Sequence, residues 1–358
     1  MEREYDHEED FWKGEKKEIR KERRIAQRTD RSKYKKSNRE KLSPSRQTVS
    51  SDTSQLQGRV VSIRGEGIVV RSHETSYCCS LKGSLKKDRL RQKNLVVVGD
   101  LVDFLPLGNL QGQIVAIQKR TSLIERSDPA KRRRQLLAAN IDTVFVTSSV
   151  VLPPLKPFLI DRYVIAAAKG NMEPIILINK MDLLSTSEEE KERFSAFMQA
   201  YQDLTIFPIS CKTGEGVEEV KRAMRGKASL FSGQSGVGKS SLINELLHLH
   251  LPVGEIFYKG RHTTTKAELI PLEGGGFCID TPGIRQFGIW DLTREDVCTR
   301  FTKIQELSAL CKFPNCLHLQ EPGCAVLEAV EKGDLPLLLY ESYAKLIEEV
   351  ERKKRGAP

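Results

Sequence analysis

Apolar residues change their spacing along this chain, and each change marks a boundary. They are sparse over residues 1–55 and alternate in short runs over 56–119. They gather into solid blocks separated by helical periods over 141–290, and they fall at helical spacing from 291 to 358. The alternating region predicts strands over Gly58–Arg64, Gly67–Arg71, Ser76–Leu81, Leu95–Leu105 and Gln111–Gln118, with turns at Gly65, Gly83 and Gly108. Five short strands in so little chain suggest a small barrel of the oligonucleotide-binding (OB) type. Residues 120–140, with the cluster Lys131–Arg134, read as a linker.

From residue 141 the blocks predict alternating strands and helices: strands Asp142–Ser148, Pro174–Asn179 and Leu204–Ser210, with helices Pro157–Lys169, Ser187–Gln202 and Val217–Met224. A strand over Ala228–Phe231, a helix from Ser240 and strands over Lys266–Pro271 and Gly276–Asp280 complete the set. The strands are apolar on both faces, as in a parallel sheet covered by helices on each side. The expected fold is therefore α/β, a doubly wound sheet with its ligand at the strands' C-terminal ends. The tail predicts helices Val297–Leu310, Ala325–Lys332 and Pro336–Lys353.

Charge sharpens this division. The net charge is +10, and residues 11–46 alone hold fifteen Lys/Arg against five Asp/Glu, an excess equal to that of the whole chain. So few apolar residues cannot drive folding, which predicts a disordered basic extension over 1–55, with Lys16–Arg28 able to form a helix against a polyanion. A second basic loop carries Lys82, Lys86, Lys87, Arg89, Arg91 and Lys93, placed to track a nucleic-acid backbone. No apolar run reaches the ~18 residues of a membrane span, and the N-terminus lacks a signal-peptide core, so a cytoplasmic location is expected.

The chemistry centres on Gly233-Gln234-Ser235-Gly236-Val237-Gly238-Lys239-Ser240, set after a strand and opening a helix. This is the phosphate-loop spacing: glycines turn backbone N–H groups toward phosphate oxygens and the helix N-terminus adds a positive dipole end. Ser232 precedes the loop, Lys239 would reach the β- and γ-phosphates, and the Ser240 hydroxyl would ligate Mg²⁺. Asn179-Lys180-Met181-Asp182 closes a buried strand. A carboxylate at Asp182 can accept from guanine N1–H and its 2-amino group together, which adenine cannot offer. Ser210-Cys211-Lys212 closes the next strand, placed so that a backbone N–H meets the guanine carbonyl.

Asp280-Thr-Pro-Gly283 follows the last strand. Asp280 would hold Mg²⁺ through water, and the Gly283 N–H would sense the γ-phosphate. Among Thr263, Thr264 and Thr265 one closes over Mg²⁺ as a switch, with Thr264 the candidate; the choice among the three stays open. Ile284 follows Gly283, and an aliphatic side chain cannot orient water. His262 is the nearest alternative in sequence, as a catalytic or a merely structural residue. The base-reading segments precede the phosphate loop, which makes the domain a circular permutation whose last strand runs from the switch into the tail.

Cys311-x₄-Cys316-x-His318-x₅-Cys324 offers three thiolates and an imidazole, a full tetrahedral set for one structural zinc, with turns at Pro314, Pro322 and Gly323. His7, His73, His248 and His250 have no such company.

Together these motifs resemble the circularly permuted GTPases that depend on the small ribosomal subunit, the RsgA family. Val96–Val102 (VVVGDLV) and Ala138-Ala-Asn-Ile-Asp142 add to the likeness, which spans roughly residues 56–350. The resemblance implies a GTPase that binds the small subunit and its rRNA late in assembly and is stimulated by it. It also implies GTP contacts at Asn179–Asp182 and Ser232–Ser240, and zinc ligands at Cys311, Cys316, His318 and Cys324. A GTP-gated RNA-binding module or chaperone with incidental hydrolysis is the competing reading. Nothing in the sequence requires more than a monomer.

Overall fold

The computed structural model describes residues 54–83, 85, 95–128, 133–247, 267–279 and 292–355. The expected N-terminal extension and most of loop 82–93 lie outside the described residues. Strands β1 (Leu56–Ile63), β2 (Ile68–Ser72), β3 (Thr75–Leu81), β4 (Leu101–Gly108) and β5 (Gln111–Ile117) close into a barrel in the order β1-β2-β3-β5-β4. Alternation points Val60, Val70, Val102, Phe104 and Ile114 inward, where they form the barrel core.

The strand expected over Leu95–Leu105 begins only at Leu101. Gly99 sits at φ 92°, and a Cβ there would lie 1.9 Å from the Ala139 carbonyl oxygen, so the chain must turn. The next residue, Asp100, is fully buried and accepts from Arg120 Nε at 2.6 Å and from the Val97 N–H at 2.9 Å. The segment read as a linker also differs. It forms an antiparallel hairpin of β6 (Leu123–Asp128) and β7 (Arg133–Ala139). Beyond it Asn140 ties barrel to sheet: its Oδ1 accepts from the Thr121 N–H at 2.8 Å and its Nδ2 donates to Gly99 O at 3.0 Å.

The second sheet comprises β8 (Thr143–Ser149), β9 (Glu173–Asn179), β10 (Ile206–Pro208), β11 (Ala228–Gly233), β12 (Leu269–Pro271) and β13 (Phe277–Ile279). Its order is β10-β9-β8-β11-β13-β12, parallel except for β12 against β13. Val144 and Val146 face one core with helices α1 (Pro157–Lys169) and α2 (Glu188–Ala200). Phe145, stacked on Phe231 at 5.0 Å, faces the other with α3 (Val217–Met224) and α4 (Lys239–Leu246).

The C-terminal helix expected over Val297–Leu310 is two: α5 (Arg294–Arg300) and α6 (Thr302–Ser308). The break falls at Phe301, whose ring is buried edge-on against Tyr343 at 5.5 Å. Helices α7 (Ala325–Glu331) and α8 (Leu337–Lys354) complete this part. A fully buried carboxylate, Asp161 in α1, accepts from Tyr201 and Ser342 hydroxyls and, at 2.9 Å, from Arg300 Nε. It thereby links the sheet's own helix to α5 and α8. No helix among the described residues is long and apolar enough to cross a membrane.

Candidate functional site

Strands β8 and β11 are neighbours, with Thr147 opposite Gly233, and β9 lies beyond β8, with Asn179 opposite Ser149. The chain fills β8, β9 and β10 outward, then returns to lay β11 on the other side of β8. Open parallel sheets leave a crevice where strand order reverses, outside the strands' C-terminal ends. The phosphate-loop residues and the Asn179–Asp182 segment both emerge there.

The loop leaves β11 at Gly233 (φ 138°), passes Gln234, Ser235 and Gly236 (φ 79°), and enters α4 through Gly238 (φ 95°). Ser232 is fully buried at the strand end. Lys239 is buried too, and its ammonium donates to the Gly233 carbonyl at 2.8 Å, drawn against the loop. Ser240 stands half-buried in the first turn of α4. The positive-φ backbone and the free end of α4 make the concave, N–H-rich cradle an anionic oxygen requires.

Asn179 binds the site together. Its Nδ2 donates to the Val237 carbonyl in the loop at 2.8 Å, and its Oδ1 accepts from the Cys211 N–H at 3.1 Å. A Cβ at Gly238 would lie 2.3 Å from that Nδ2, so the loop can approach only as glycine. Lys180, at φ 68°, donates to Gly236 O at 2.8 Å and to Leu152 O. Met181 opens a 3-10 turn over Met181–Thr186. Asp182 accepts from the Ser210 hydroxyl at 2.7 Å and lies 3.8 Å from the Lys212 ammonium, with its side chain only 14% exposed. Burial pushes the Cys211 thiol up to about 11, with the Asn179 contact opposing. It is thus a protonated, unreactive thiol at neutral pH, and its backbone is what the site uses.

The structure therefore bonds Asn179 and Lys180 to the phosphate loop and Cys211 to Asn179, with Ser210 beside Cys211 holding Asp182. Asp280, Gly283, Ile284, His262 and Thr263–Thr265 lie outside the described residues. Sequence reasoning missed the loop after β8: Leu152 contributes a carbonyl to Lys180, and Ser149 donates to that same carbonyl at 3.0 Å. Backbone acceptors of this kind leave no signature in residue types.

A second centre lies in the tail. The ligand atoms of Cys311, Cys316, His318 and Cys324 fall within 4.8 Å of one another. Cys311 Sγ is 3.9 Å from Cys324 Sγ, and His318 Nδ1 is 3.3 Å from Cys324 Sγ and 3.5 Å from Cys311 Sγ. Tetrahedral bonds of ~2.3 Å to sulfur put neighbouring sulfurs about 3.8 Å apart, so the four groups fit one metal ion. Burial pushes Cys316 up to about 12 and lowers His318. A divalent cation would reverse the thiols' preference for their protons. Glu321, also missed from sequence, organises the turn that carries His318. Its carboxylate accepts from the Leu317, Leu319 and Gln320 N–H groups at 2.7, 2.8 and 3.0 Å. Burial opposes its charge, but those donors hold it down to about 2.

Comparison with known proteins agrees with this geometry. A family model described as RsgA GTPase matches residues 117–290. The chain is 36% identical over 311 residues to a protein of Bacteroides thetaiotaomicron named small ribosomal subunit biogenesis GTPase RsgA 2, covering 84% of this chain and 99% of that one. Among solved structures, YjeQ from Thermotoga maritima superposes with a TM-score of 0.66 at 31% identity, over 83% of this chain and 99% of its own. YloQ, described as a circularly permuted GTPase, gives 0.64 at 26% identity, over 84% and 96%.

Proposed function

We propose, because this chain belongs to the RsgA GTPase family, that it binds GTP in the crevice between β8 and β11 and hydrolyses it in the service of small-subunit assembly. The fold is a circularly permuted P-loop GTPase domain with an OB-type barrel before it and a helical Cys/His knuckle after it. One observation carries the reading: Asn179 bonds both the phosphate loop and the Cys211 backbone, joining three motifs far apart in sequence.

In this reading Gly233–Gly238 backbone N–H groups cradle the phosphates, and Lys239 exchanges its loop carbonyls for phosphate oxygens. Asp182, pre-oriented by Ser210, accepts from the guanine edge. The guanine carbonyl shares the Cys211 N–H or takes that of Lys212. The Lys180 stem, pinned at both Gly236 and Leu152, packs over the base, next to Met181. Ser240 directly and Asp280 through water would hold Mg²⁺, which when bound would supply positive charge beside the phosphates. One of Thr263–Thr265, with Thr264 the candidate, closes the switch, and Gly283 reads the γ-phosphate. His262 orients the attacking water, since Ile284 cannot. Zinc is the metal assigned to Cys311, Cys316, His318 and Cys324; with four protein ligands its role is structural.

The partner is the small ribosomal subunit and its rRNA, met by a cytoplasmic monomer whose barrel and basic N-terminal extension supply positive charge. Co-sedimentation tests this. Purified small subunits should carry the chain down with a non-hydrolysable GTP analogue and release it with GDP. Equal retention with both nucleotides would favour a plain RNA-binding module.

A further inference from the structure

The barrel carries two arginines where elementary sheet energetics disfavours them. In the β1/β2 ladder Arg59 stands directly opposite Arg71, while the adjacent pair Val60 and Val70 is buried inside the barrel. Alternation therefore puts both guanidiniums on the outer face, and like charges directly opposed destabilise a sheet. The carboxylates nearby do little to remove the conflict. Arg71 pairs at 2.6 Å with Glu74, whose side chain is 93% exposed, and exposed pairs contribute little. Arg59 feels Asp142, but that carboxylate already accepts from the Ala228 N–H at 2.7 Å. Asp103 is engaged by Gln118 at 2.9 Å.

The two arginines line a half-open cleft of about 430 Å³ between the outside of the barrel and Phe277 at the start of β13, with Gln57, His73 and Gln118 around them. That volume leaves room for one nucleotide lying against the surface. Arg59 is held in place: it donates to the Asn140 carbonyl at 2.9 Å and lies over the Phe277 ring, 5.4 Å from its centroid. A fixed guanidinium plane is a platform on which an unstacked base lies flat, and Arg71 beside it suits a phosphate.

We propose that this cleft binds a segment of single-stranded RNA, with a base on the Arg59–Phe277 stack and a backbone phosphate at Arg71. It deepens the ribosomal reading above and rests on it for the source of the RNA. The site takes Arg71 from β2 and His73 from the β2–β3 turn, and so continues the strand 2–3 face that OB barrels commonly use across β1 to Phe277 of β13. The amides of Gln57 and Gln118 complement a base edge. An acidic peptide would use the guanidiniums and leave the flat stack unfilled. Because the ligand touches β1, β2 and β13 together, it binds the barrel only in its present seating on the GTPase sheet.

The test uses the full chain and a fluorescent decauridylate, with anisotropy read across a salt series. R71E should weaken binding about tenfold and flatten the log K against log salt slope by about 0.7, the loss of one phosphate contact. K191E, the same charge change on the exposed face of α2, should leave both unchanged, and basal GTP turnover should be equal in all three proteins. A 4-thiouridine decamer should crosslink to the peptides bearing Arg71 and Phe277. The proposal is overturned if R71E binds as the unsubstituted chain does, or if crosslinks avoid both peptides. It is equally overturned if an abasic decamer of the same charge binds as tightly as the decauridylate, which would leave an anion cradle without base recognition. Small-subunit stimulation of the unsubstituted chain is measured alongside. Its absence would remove the ribosomal reading, while the decauridylate result would still decide the cleft.

Discussion

Replacing Asp182 by asparagine tests base recognition through one oxygen-to-nitrogen exchange. The side chain is mostly buried, and Ser210 already fixes one carboxylate oxygen at 2.7 Å. The substitution therefore keeps shape and orientation while changing what the guanine edge meets. Two donors, N1–H and the 2-amino group, now face an acceptor and a carboxylate-derived NH₂. One charge-assisted hydrogen bond becomes neutral and the other becomes donor against donor. Hydrogen bonds to charged groups are worth about 1.5–3 kcal/mol each, so the change should weaken GTP by about 2–4 kcal/mol, roughly 30- to 1,000-fold. Xanthosine triphosphate presents a carbonyl where guanine has its amino group, so it should gain affinity. Competition against a fluorescent nucleotide gives all the constants, with ATP as a control that stays weak. GTP affinity within about threefold of the unsubstituted chain, without gain for the xanthine nucleotide, would refute the assignment of Asp182.

Gly238→Ala places a methyl 2.3 Å from Asn179 Nδ2 at φ 95°, so nucleotide binding should fall at least tenfold while the melting temperature drops only a few degrees, read by titration and calorimetry. Cys311→Ser removes one of four converging ligands; metal content by mass spectrometry should drop from one ion per chain, and chelation of the unsubstituted protein should lower its melting temperature similarly. Burial opposes the Asp296 charge, but Lys169 at 2.6 Å and the Thr293 N–H at 2.9 Å hold the carboxyl below its usual range. With the folded value below the unfolded one, its stabilisation is present above about pH 4 and fades as pH falls further. Denaturation of D296N should thus show a deficit at pH 7 that closes in acid.

The sites that read well from sequence are those whose chemistry is local. Strand, glycine-rich loop and helix occupy one short stretch at Ala228–Leu246, and helices Pro157–Lys169 and Val217–Met224 follow directly from their apolar spacing. The failures share a cause in distant partners. Leu95–Leu105 looks like one strand until Ala139 O, forty residues beyond Gly99, meets the turn at that glycine. Hairpin β6/β7 was hidden because its basic residues do not alternate with apolar ones. Asp161 interrupts an apolar helix, and its partners Tyr201, Arg300 and Ser342 are remote in sequence. The opposed arginines became visible only when the β1/β2 register was known.

The central claim is that this crevice hydrolyses GTP in response to one ribosomal particle. Turnover by the purified chain should be measured alone, with small subunits and with large subunits. The account predicts slow hydrolysis alone, strong stimulation by the small subunit and none by the large one. Equal rates in all three conditions, with GTP binding intact, would contradict it.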